Sequence, residues 1–269
     1  MNSLQESLQD PFQDPLQEPL STSIPPNPNN NYITTSFYFT YVLLLTTGTI
    51  TLIEAISTNS PAIRHVMNLE TCISLIAGYF YSQFIAKVTT VTNANTNANT
   101  NTNTNANTNT NTNTNSIINY KDINETRYND WFITTPLMIL VIMISLSYNN
   151  TGRLSIHIGT YITAILLNFG MLYSGYLGEK NTISKKTGCT VGFLFFIGLF
   201  ALIYFQFVKG SSKLFNFVLF GIYLVIWGLY GIVYLLDEER KNVAYNVLDL
   251  ISKCFVGLGL WMYFTKILI

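Results

Sequence analysis

The chain has 269 residues, 49% of them hydrophobic and only 10% charged, with 14 basic and 14 acidic side chains. That charge content is far below the ~25% of a soluble domain. A formal net charge of zero leaves no basic surface to recruit nucleic acid and no acidic one to recruit cations in bulk.

Residues 1–36 carry no Lys or Arg and no apolar core, so no cleavable signal peptide is read there. Leu4, Leu8, Phe12 and Leu16 each open a four-residue unit, and Pro11, Pro15 and Pro19 close three of them. Prolines at that period exclude a helix, and the tail is expected to be a disordered arm. Seven apolar segments follow, near 37–57, 66–87, 127–147, 154–176, 188–208, 214–236 and 242–265. Each meets the roughly 20 residues needed to cross a bilayer core. The short alternating segments of a membrane barrel are absent from the sequence. The expected fold is therefore an all-α, multi-pass integral membrane protein: a seven-transmembrane helical bundle over residues 37–269.

Between the second and third segments, residues 92–116 form a low-complexity insertion in which Asn alternates with Ala or Thr. It has nothing to bury and is expected to be solvated and disordered. The sequon Asn124-Glu125-Thr126 just beyond it is a candidate glycosylation acceptor. Cys72, Cys189 and Cys254 lie in apolar stretches without ligand-like spacing and read as packing residues, not as disulfides or a metal site.

Ionisable residues inside membrane spans are costly, so each is a functional hypothesis. Span seven holds Asp249 and Lys253, four apart on one helix face. An internal salt bridge accounts for them equally well at this point. Span three adds Arg127 and Asp130 on a stripe with Trp131, Thr134, Met138 and Val141. Two carboxylates facing one lysine and one arginine make a balanced quartet, which a lone salt bridge would not need. Such a set suits an imine: a desolvated lysine attacks an aldehyde, and carboxylates stabilise the protonated product. Span six places Trp227, Tyr230 and Tyr234 at i, i+3 and i+7, an aromatic wall or plain core.

Together these residues resemble the microbial (type I) rhodopsins. Arg127-Tyr-Asn-Asp130-Trp131 with Thr134-Thr135-Pro136 is similar to that family's third-helix signature, Leu248-Asp249 with Lys253 to its retinal attachment site, and Trp227 with Tyr230 to its sixth-helix ring clamp. The stretch from Leu69 to Tyr81 resembles the viral branch, which includes channels. The resemblance implies all-trans-retinal as cofactor, with Lys253 forming the Schiff base. It implies Asp130 as primary counterion and proton acceptor, Asp249 as second counterion, and Arg127 as organiser of the carboxylates. Trp131, Thr134, Thr135, Met138, Trp227, Tyr230 and Tyr234 would line the pocket, with Met138 favouring green over blue absorption. Gly231 stands where bacteriorhodopsin has proline, and Tyr234 replaces a tryptophan. The resemblance also implies an extracellular N-terminus. Arg64, Arg153, Lys209, Lys213 and Lys266 would then lie inside, against seven cationic residues outside, so the positive-inside rule does not support that orientation.

Val141 occupies the position where outward pumps of the family carry a carboxylic proton donor, and valine cannot donate. Glu54, Thr47 and Thr51 on span one, with Glu70 and Ser74 on span two, form a candidate ion path. Helix-end glutamates reaching headgroup water and hydroxyls bonding their own backbone explain the same residues. The expectation is a light-gated proton or cation channel, with a slow photosensor or a weak light-driven proton pump as alternatives. Its expected partners are the lipid bilayer and protons or small cations, without nucleic acid; a homo-oligomer is left open. His157 reads as interfacial, and Asp237 to Lys241 as a solvated turn. No phosphate loop, metal cluster or nucleophile–base triad is present in the sequence, so an enzyme is not expected.

Overall fold

The computed structural model describes residues 28–101 and 118–266, with side chains over 32–91 and 118–266. The proline-rich repeats and most of the Asn/Thr insertion lie outside the described residues. The described chain runs through α1 (Pro28–Ser57), α2 (Pro61–Asn101), α3 (Tyr120–Thr151), α4 (Ile158–Glu179) and α5 (Lys185–Ile203), which continues as a π-helical turn over Tyr204–Val208. After α6 (Leu214–Val233), the last span is built from α7 (Glu238–Asp249), a π-helical segment Leu250–Phe255, and α8 (Val256–Phe264). Six helical spans are long and apolar enough to cross a membrane. The one that falls short is α2, whose polar residues include Glu70, Thr71 and Ser74, all buried in the bundle.

Several boundaries differ from the sequence expectation. Residues 28–36 are helix, not disordered tail, because Ile33 and Phe37 are buried and Phe37 packs on Phe84 and Tyr81. Residues 92–101 continue α2 instead of starting a disordered insertion. Once a helix is nucleated, each further residue adds a hydrogen bond without a new nucleation cost. α3 begins seven residues before the expected 127, where the Asn119 side chain accepts from the Asp122 N–H, 3.2 Å away. It ends at Gly152, whose positive φ of 67° lets its N–H reach the Tyr148 carbonyl. α4 starts at Ile158, with His157 exposed at its N-cap.

Two local readings are corrected. Asn124, the sequon asparagine, is buried, and its amide donates to Glu238, so it offers no glycan acceptor in this fold. Lys241 is not on a solvated turn: it is fully buried in the first turns of α7, because Glu179 of α4 closes over it. Cys72 faces outward, while Cys254 is buried; all three cysteines are free.

Candidate retinal site

The site forms where α3 faces the π-helical segment of the last span. A π turn holds an extra residue and commonly marks a functional position; here it carries Lys253. The Lys253 Nζ lies 2.7 Å from Asp130 Oδ2 and 3.4 Å from Asp249 Oδ1, and all three residues are at most 1% exposed. Arg127 Nη1 lies 3.1 Å from Asp249 Oδ2. The quartet expected from sequence is thus assembled, with charges that cancel.

The two carboxylates are held differently. Asp249 accepts from Tyr81 at 2.8 Å, Tyr230 at 2.7 Å and the Trp131 indole at 3.4 Å, besides Arg127. Among the described residues, Asp130 Oδ2 takes Lys253 alone, and Asp130 Oδ1 is buried with no partner. Arg127 is fixed by a second fork, Nη2 donating to Asn246 at 2.9 Å and Asn242 at 3.4 Å. Its guanidinium sits among four rings, from Phe84 at 4.9 Å to Phe37 at 5.8 Å, where cation–π attraction is strongest because water is excluded.

Beside the quartet lies a largely apolar cavity of about 110 Å³. Lys253, Trp131, Thr135, Met138, Trp227, Tyr230 and Tyr234 all line it, as expected. Thr134 is buried but does not line it, and its hydroxyl bonds back to the Asp130 carbonyl at 2.9 Å. An apolar, aromatic cavity with one lysine on its wall and an unpartnered carboxylate oxygen next to that lysine fits a polyene aldehyde bound through Nζ.

Comparison with known proteins agrees. The sequence profile of bacteriorhodopsin-like proteins matches residues 31–267. The chain belongs to that family. Its members are retinal proteins, with all-trans-retinal the family's standard chromophore. Among solved structures, viral rhodopsin OLPVRII is similar at a TM-score of 0.75 and 41% identity, covering 88% of this chain and all of the other. The light-driven proton pump LR (Mac) of Leptosphaeria maculans shares the fold at a TM-score of 0.62 and 19% identity, covering 87% and 96%. The opsin-like protein carO of Fusarium fujikuroi is 29% identical over 162 residues, 53% of this chain and 48% of that protein. Opsin-1 of Neurospora crassa is 29% identical over 147 residues, 50% and 47%. The chain spans about half the length of these curated relatives.

The other residues singled out in this rhodopsin fall into two groups. Thr47, Thr51, Glu70 and Ser74 are buried together between the first, second and last spans, and Glu54 is half-buried. Thr51 is occupied, bonding the Thr47 carbonyl at 3.0 Å and Thr71 at 2.9 Å. Glu54 accepts from the Trp261 indole at 3.3 Å. Glu70 is 2% exposed, and its Oε2 lies 2.8 Å from where a Cβ would stand on Gly257, one turn past Lys253. Among the described residues, Ser74 Oγ is buried without a partner, and so is the Tyr223 hydroxyl. Val141 is fully buried in apolar core.

Sequence reasoning missed Asn242 and Asn246, which complete the Arg127 fork, and gave Tyr81 and Tyr245 no role in the site. An asparagine in an apolar span is itself a signal, since a buried amide needs partners. It also missed the cavity wall contributed by α4 and α5, including Met171, Gly175, Gly192 and Phe193. Phe193 lies 2.6 Å from the Cβ position of Gly231, the place where bacteriorhodopsin carries proline, so an aromatic ring fills that space instead.

Proposed function

We propose that this chain is a light-driven proton transporter, in which retinal is attached at Lys253, Asp130 takes the proton and Glu70 returns one. The observation that carries this reading is the pair of buried carboxylates flanking Lys253 along the bundle. Asp130 lies 2.7 Å from its Nζ, and Glu70 stands by Gly257, one helical turn beyond Lys253 and on the side away from Asp249. Among the described residues no cation is paired with Glu70, so it suits a proton carrier better than a structural ion pair. It therefore offers what Val141 withholds.

Retinal supplies light absorption and an isomerisation that redirects the Nζ proton. The chain does the rest. Asp249 is held charged by four donors and stays a fixed counterion, whereas Asp130, with one donor and one free oxygen, accepts the proton. Arg127 anchors Asp249. The aromatic walls exclude water, which keeps the proton on the intended groups. Residues 37–269 carry this function, the N-terminus lies outside, and the Glu238 end faces outward.

The competing reading is a channel through Thr47, Thr51, Glu54, Glu70 and Ser74. Two of its hydroxyl and carboxylate groups are already bonded within the protein, which favours transfer between buried acids over an open polar path. Photocurrent recorded across a voltage ramp separates the two. Current of one sign at all voltages supports transport; a sign reversal makes the chain a channel, and no current at any voltage makes it a sensor. Glu70→Gln is expected to slow recovery of the dark absorbance by about 10²-fold, the usual weight of a positioned proton donor. Unchanged recovery would remove Glu70 from the pathway.

A further inference from the structure

Lys241 is a second lysine sealed inside the bundle, and the photochemistry does not use it. It is 0% exposed, and its Nζ lies 2.8 and 3.1 Å from the two oxygens of Glu179 and 2.9 Å from Glu238. Lys185 joins the same group, 2.8 Å from Glu238 and 3.8 Å from Glu179. Two amides connect this cluster to the retinal site. Arg127 donates to the Asn242 oxygen, the Asn242 amide donates to Asn124 at 3.1 Å, and the Asn124 amide donates to Glu238 at 2.6 Å. Every bond points the same way, from guanidinium to carboxylate.

We propose that Lys241 is the residue that delays proton exit at this end of the bundle. The inference rests on Asp130 being the acceptor. Two glutamates matched by two lysines are neutral as they stand, so the cluster holds no proton to give up. A proton approaching from Asp130 also meets a fixed ammonium that cannot turn to water. The proton that leaves Lys253 Nζ for the Asp130 carboxylate therefore stays on Asp130, and passes to bulk water only after Nζ has been reprotonated. Without Lys241, oxygens of Glu179 and Glu238 face one vacated spot with only Lys185 beside them. Like charges so placed bind one proton between them, and that proton departs when Asp130 becomes neutral and the Arg127–Asn242–Asn124 line slackens.

The test uses the full chain loaded with retinal, a pH-indicator dye in the medium, and flash absorbance to time the loss of the Nζ proton. In the unsubstituted protein and in Lys241→Arg, the dye response is expected to lag that loss by at least about ten-fold in time. In Lys241→Gln the two are expected to coincide. Coincidence in the unsubstituted protein, or a lag that persists in Lys241→Gln, overturns the proposal. Lys241→Met is made in parallel, so that if one variant fails to take up retinal the other carries the test. Infrared spectra in the dark give a second readout. Lys241→Gln should gain one protonated-carboxyl stretch, which disappears again when Glu179→Gln is added; its absence overturns the fixed-charge account. If flash absorbance finds no loss of the Nζ proton at all, the transport reading fails, and the infrared arm still decides what Lys241 holds.

Discussion

At the scale of single residues, the site works because like groups are placed in unlike surroundings. Asp249 has donors from three helical spans, while Asp130 has one ammonium and a bare oxygen. Lys253→Ala is expected to abolish the visible band that forms when retinal is added, with loss checked by an absorption spectrum; a surviving band would mean attachment elsewhere. Asp249→Leu leaves Arg127 buried without its carboxylate and should destabilise by about 3–5 kcal/mol, which thermal unfolding in detergent would measure. Gly178 is a tighter constraint than its size suggests. A Cβ there would clash with the Tyr234 hydroxyl, which donates to the Gly175 carbonyl at 3.0 Å. Gly178→Ala should cost about 1–3 kcal/mol through overpacking and shift the absorption maximum, because Tyr234 lines the cavity.

At the scale of elements, α3 and the last span carry most of the chemistry, and each is shaped by a local departure from a regular helix. Pro136 interrupts the hydrogen-bond ladder of α3 just past Asp130, and the Tyr161 hydroxyl of α4 bonds the Pro136 carbonyl at 3.2 Å. The π segment over Leu250–Phe255 sets the pitch between Asp249 and Lys253. Spacing in the sequence placed those two on one face, but no residue pattern announces a π turn, since it is selected by packing against α1, α2 and α6. The Asn119 cap begins α3 well ahead of the apolar run and was invisible to a hydropathy reading for that reason. Asn119→Ala should lower stability by about 1 kcal/mol, a melting shift of about 2–4 °C for a chain of this size, with the visible band unmoved.

At the scale of the whole molecule, the cavity is lined, among the described residues, by side chains between Tyr128 and Lys253. Shortening the insertion within 102–117 is therefore expected to leave the absorption maximum unchanged, and a shift of that band would show that the insertion bears on the retinal site. The bundle of apolar helices, the quartet of Arg127, Asp130, Asp249 and Lys253, and half of the aromatic wall were legible in the sequence. Transfer of apolar surface and the cost of buried charge are properties of residue types, and they act before any partner is known. What the sequence could not decide was pairing across elements. Lys241 reads as one charge in a hydrophilic run, and only the approach of Glu179 from α4 turns it into a buried cation. Glu70 reads as an acid near a helix end, and only the missing side chain of Gly257, on a helix far away in sequence and one turn past Lys253, makes room for it. Those outcomes depend on which faces meet, and that is set by the simultaneous packing of all the spans.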